Sequence, residues 1–195
     1  PRKGKRDGAW MTEFQGQWID KDGKNVRPHA SLVMNLSKPT EDKPALLRLG
    51  EVETFLHEFG HSLHGMFANT RFESMSGTNV WWDFVELPSQ FMENFAVEKE
   101  FLKTFAFHYQ TGEPMPEALK EKMLNSINFQ PAYALGENLG ATCIDMAWAM
   151  LPEKDIPTAD KADAFQQQAL REVGLLDTQI PPRSATSCFN HVWGG

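Results

Sequence analysis

The chain is 195 residues long, 41% apolar and 23% charged, the balance of a globular protein with enough length to bury a core. A formal net charge of −7 and a pI near 5.4 argue against nucleic acid or an anionic membrane as the main partner, and no apolar run approaches the ~20 residues of a membrane span. Two cysteines, Cys143 and Cys188, exclude a disulfide framework and suit a reducing compartment, so with no signal sequence in view a cytoplasmic location is expected. In chain order, residues 8–18 alternate loosely and carry aromatics, as a strand does, and Asp20-Lys21-Asp22-Gly23 follows as a turn. Asp20-x-Asp22-Gly23-x-Asn25 lacks the ligand order and closing glutamate of a calcium loop, so it reads as a plain turn. Residues 30–36 place Ala30, Leu32, Met34 and Leu36 on one side, a strand expected to pair with the first. A polar, proline-bearing loop covers 37–44, and a helical pattern runs from about Ala45 to Phe67. After loop-like residues 69–80, a second helix is predicted from Trp82 to Phe107, with Pro88 kinking it or lying in its first turns. Shorter helices follow over about 116–126, over 131–150 with Gly136 and Gly140 spaced for close packing, and from a Thr158 cap to Gly174. With no repeat and no evident boundary, residues 1–195 read as a single domain.

The chemistry concentrates in Phe55-Leu56-His57-Glu58-Phe59-Gly60-His61-Ser62-Leu63-His64. His57 and His61 lie four residues apart, so on a helix their rings stack on one face about one turn (~6 Å) apart. Two imidazoles so placed can grip one Zn²⁺ at ~2.0–2.1 Å. Glu58 points about 100° round the helix from His57, off the metal but within reach of a water the metal activates, the position of a general base.

A catalytic zinc takes three protein ligands and keeps one position open. His64 nearly eclipses His57 but stands two turns (~10.5 Å) away, too far for one ion, and reads as a packed helix histidine. Glu86 is the better third ligand: Asp83, Glu86, Gln90 and Glu93 share one stripe among Phe84, Val85, Leu87 and Phe91, 25 residues past His61. A solvated acidic stripe is the competing reading of the same residues. Glu53, Gln90 and Asp83 are candidates for orienting the ligands. Trp81 and Trp82 suit a peptide site, with packing expected for at least one.

Together, Phe55 to Gly65, Ser76-Gly77-Thr78 and Asp83-Phe84-Val85-Glu86-Leu87-Pro88-Ser89-Gln90 resemble the thimet-oligopeptidase family of zinc peptidases. Gly4-Lys5-Arg6-Asp7-Gly8-Ala9-Trp10-Met11 and Asn190-His191-Val192-Trp193-Gly194-Gly195 extend the resemblance to the whole chain, most of all to its bacterial peptidyl-dipeptidase (dipeptidyl carboxypeptidase) branch, with oligopeptidase A nearby. The resemblance implies a mainly α fold with a small β-sheet (α+β), a zincin-like catalytic core. It implies one Zn²⁺ on His57, His61 and Glu86, Glu58 as general base, and His191 binding substrate and stabilising the oxyanion. Short peptides are the implied substrates, with release of C-terminal dipeptides. Family enzymes are several times longer, so the chain is expected to be a partial catalytic domain whose partner is the remaining portion of the parent peptidase. The alternative is a non-catalytic, zinc-containing fragment lacking the wall of the substrate channel that follows the Gly194-Gly195 region in the family.

Overall fold

Aromatic and alternating residues at the start of the chain form strand β1 (Trp10–Gln15), followed by β2 (Trp18–Ile19), β3 (Asn25–Val26) and β4 (His29–Val33). As the alternation predicts, β1 pairs antiparallel with β4, Met11 opposite Leu32, with an irregularity between Glu13 and Gln15. A second two-stranded ribbon, β2 with β3, closes through the expected turn. There the Asp20 carboxylate accepts the backbone N–H groups of Asp22 (2.9 Å) and Lys24 (2.8 Å), and Gly23 supplies a φ of 77°. These details come from a computed structural model that describes residues 4–177 and 179–188.

Helix α1 (Leu49–Met66) starts at Leu49 rather than near Ala45. Arg48 is extended, and the Glu51 carboxylate accepts its N–H at 2.8 Å while also taking the Ser37 N–H and hydroxyl at 2.5 and 2.9 Å. This acidic cap ends the loop after β4 and fixes where the helix can begin. One face of α1 packs on the β1–β4 sheet: Gly65 and Gly77 leave space for the Glu13 side chain of β1, where any Cβ on Gly65 would overlap the carboxylate. The adjoining face packs on the next helical segment.

That segment is not one helix over 82–107. It divides into α2 (Trp82–Val85), α3 (Leu87–Glu93) and α4 (Lys99–Phe105), with a 3₁₀ turn at Asn94–Ala96 between the last two. Pro88 causes the first break. It lies in the first turn of α3 and has no N–H to offer the Phe84 carbonyl, which accepts from Glu86 N–H instead. Glu98 causes the second, its carboxylate capping α4 at the Glu100 N–H. Leu56, Ala96 and Leu102 are buried apolar residues here. Trp81 and Trp82 are 86% and 78% exposed, against the expectation that one would pack.

Helices α5 (Glu117–Ile127), α6 (Pro131–Ala149) and α7 (Ala162–Glu172) follow close to their predicted bounds. The chain divides into two compact units, Pro1–Met123 and Leu124–Gly195. Within the second, α6 and α7 pack around Ala141, Ile144 and Leu170, and the Trp148 indole donates to Thr186 Oγ1 at 3.0 Å. The close-packing role expected of Gly136 and Gly140 is not met. Among the described residues, a Cβ on Gly136 would meet nothing within 4 Å, and on Gly140 only Leu170 Cδ2 at an ordinary 3.7 Å. Thr158 precedes a 3₁₀ turn, Ala159–Lys161, and makes no side-chain cap. The described residues are mostly helical with small two-stranded sheets, and no helix among them is long and apolar enough to cross a membrane.

Candidate metal centre

Helix α1 presents His57 and His61 one turn apart on the face turned to α3, their ring centroids 4.9 Å apart and planes at 85°. Glu86 arrives from the other side, at the junction of α2 and α3 where Pro88 breaks the helix. The helices approach closely because Gly60, midway between the two histidines, has no side chain. A Cβ there would stand 2.6 Å from Ser89 Cα and 2.7 Å from the Pro88 carbonyl oxygen. Glycine at this position of the motif therefore serves the crossing of two backbones.

The outcome is convergence on one carboxylate oxygen. Glu86 Oε2 lies 3.2 Å from His57 Nε2 and 3.2 Å from His61 Nε2. Tetrahedral zinc with ligand bonds of ~2.0–2.1 Å has ligand–ligand edges of about 3.3 Å, so these separations fit a single ion. The three donor atoms lie within 4.8 Å of one another. Their side chains are 24%, 12% and 49% exposed for His57, His61 and Glu86, so the donor set is partly open to solvent in this chain.

Protonation favours ligation. Burial pushes the His61 imidazole below its ordinary pKa, against the pull of the Glu86 carboxylate, with His57 and His64 adding to the lowering. The ring is thus held neutral, the form that donates a lone pair. His57 Nδ1 is 2.6 Å from Glu93 Oε1. With the proton on Nδ1 donated to Glu93, Nε2 is left free to face the metal, the carboxylate–histidine arrangement found around catalytic zinc. Glu93 belongs to the acidic stripe visible in the sequence, but Glu53, Gln90 and Asp83 were the expected orienting residues. Glu53 does not take that place. Burial and the nearby Glu93 charge push its carboxyl above the ordinary range. Among the described residues, neither Gln90 nor Asp83 hydrogen-bonds Glu86 through its side chain. The available signal was spacing: Glu93 is seven residues, two turns, past Glu86.

Glu58 is 7% exposed. Burial raises its pKa, which the His57 charge and a backbone hydrogen bond from Met11 of β1 oppose and the Glu86 charge reinforces. A carboxylate raised towards neutrality beside a metal centre has the basicity a proton acceptor needs. His64 stays outside the donor set, its ring packed edge-on to Phe84 with centroids 6.1 Å apart. Beyond it, a cavity of about 550 Å³ lined by Leu63, His64, Phe67, Pro88, Phe91 and Met92 contains none of the three donors. It is a mainly apolar hollow, open at the exposed Phe67 and Phe91. His191 falls outside the described residues.

The model of Peptidase family M3 matches residues 1–195. Over 195 residues the chain is 40% identical to dipeptidyl carboxypeptidase of Escherichia coli (strain K12), covering 100% of this chain and 28% of that protein. It is 48% identical to oligopeptidase A of the same organism over 132 residues, 67% of this chain and 19% of the relative. A probable cytosolic oligopeptidase A of Arabidopsis thaliana is 45% identical over 195 residues, 98% of this chain and 27% of its own length. The chain thus spans under a third of each of these relatives.

Proposed function

The chain belongs to Peptidase family M3, and from that premise we propose that it carries the catalytic metal centre of a zinc peptidase acting on short peptides. The observation that carries this reading is the convergence of His57 Nε2, His61 Nε2 and Glu86 Oε2 at tetrahedral-edge distances. In this reading His57, His61 and Glu86 hold zinc, both units are parts of one zincin-like catalytic domain, and the rest of a longer parent chain completes it. A bound zinc ion supplies a Lewis acid and lowers the pKa of water there to ~7. Glu58 takes the proton of the attacking water and delivers it to the leaving amine. Glu93 holds the His57 ring in the ligating tautomer. His191 binds the substrate and stabilises the oxyanion. The outer edge of β4 suits an extended peptide by backbone pairing. The names of the relatives support release of C-terminal dipeptides, and the composition supports a cytoplasmic setting.

Metal analysis and a peptide-cleavage assay with and without chelator test the reading, on this chain and on the complete protein containing it. Stoichiometric zinc and chelator-sensitive loss of a C-terminal dipeptide are expected. Zinc without cleavage by the complete protein would leave a non-catalytic zinc module, and absence of zinc would overturn the centre itself.

A further inference from the structure

Ser89 is buried to 0% exposure beside the centre, and the reaction as described leaves it idle. Its Oγ lies 2.7 Å from Glu86 Oε2 and 2.9 Å from the Glu86 backbone oxygen. One hydroxyl carries one proton, and the carboxylate is both the nearer and the stronger acceptor. The oxygen it meets is the same Oε2 that faces both imidazoles. Building on the metal-centre reading, we propose that Ser89 is a positioning residue that selects Glu86 Oε2 as the ligating atom and holds the carboxylate to one-oxygen ligation.

The need for such a device follows from the side chain itself. Glu86 is about half exposed, and its terminal torsion is broad and roughly two-fold, so an untethered carboxylate offers either oxygen or both. Bidentate approach would occupy the position that water or substrate must take. A hydroxyl donating to Oε2 uses one lone pair and fixes the carboxylate plane while leaving the other lone pair for the metal. Ser89 is also where α3 crosses Gly60 of α1, so the residue there has to be small. Alanine meets the size requirement as well as serine does, and only the hydroxyl meets the positioning one.

Ser89→Ala in the complete protein therefore separates the two roles. The metal-free variant is expected to melt close to the wild-type temperature. Its zinc affinity, measured by competition with a chromophoric chelator, is expected to fall about 10- to 100-fold, the range typical of lost outer-sphere partners. Loaded with cobalt in place of zinc, the variant is expected to absorb more weakly in the visible, because a carboxylate binding through both oxygens raises the coordination number above four. Ser89→Gly, which also lacks the hydroxyl and adds no metal donor, is expected to behave like the alanine variant and serves if alanine prevents folding. Unchanged zinc affinity and cobalt spectrum in the variants would overturn the proposal. A wild-type protein that binds no zinc would overturn the metal reading beneath it.

Discussion

Replacing Gly60 with alanine sets two effects against each other, and the structure decides between them. Alanine is the better helix former by ~0.8–1.0 kcal/mol, so in an unencumbered helix the change would stabilise. Here the new Cβ would lie 2.6 Å from Ser89 Cα and 2.7 Å from the Pro88 oxygen. Carbon atoms in contact prefer about 3.5–4.0 Å, so α1 and α3 must separate by about 1 Å. Both obstructing atoms are backbone and cannot rotate aside, which puts the overpacking cost towards the top of its usual ~1–3 kcal/mol. The net expectation is a loss of about 1–2 kcal/mol, or a melting temperature lower by ~2–8 °C at this chain length. The same displacement draws Glu86 Oε2 away from imidazole nitrogens now 3.2 Å distant, beyond the span of one ion, so zinc affinity falls with stability. Thermal melts followed by circular dichroism, run with a chelator-competition titration, measure both. A variant that melts higher than wild type and binds zinc equally well would refute the close helix crossing.

Glu58→Gln is expected to retain zinc and lower kcat by about 10²–10⁴-fold in the complete protein, and turnover at the wild-type rate would exclude Glu58 as the base. In the metal-free protein, burial raises the Glu58 pKa above that of an ordinary carboxyl. The same shift means that, in the metal-free protein, the folded state binds more protons than the unfolded one between the two pKa values. Stability contributed by Glu58 is thus present below the unfolded value and lost as pH rises through the folded one; Glu58→Gln should raise the melting temperature at neutral pH and not in acid. Glu93→Ala is expected to weaken zinc binding about 10- to 100-fold, read by chelator competition, since it removes the acceptor for His57 Nδ1. His191→Ala is expected to leave zinc content unchanged and reduce kcat; a loss of metal instead would reassign it.

Sequence alone carried the periodic and local features. His57 and His61 share a helical face because of their spacing, and the alternation of residues 30–36 marked a strand that pairs with the first, as β4 does with β1. Glu86 was legible as a carboxylate on an acidic stripe 25 residues past His61, and the resemblance to the family pattern supported that choice. Apolar periodicity alone ran 82–107 into one helix, since it records which residues face a core and not whether each N–H finds its carbonyl. Pro88 and the Glu98 cap divided it.

Tertiary structure alone decided which member of the stripe serves which atom. Glu93, not Glu53, takes His57 Nδ1, and Ser89 takes the Glu86 oxygen that faces both rings. These pairings depend on the distance and rotation between α1 and α3, set where Gly60 lets one backbone meet the other. Residues 36 positions apart, as His57 and Glu93 are, leave no periodic trace of their meeting, because their spacing in the chain does not fix the crossing of the helices that carry them.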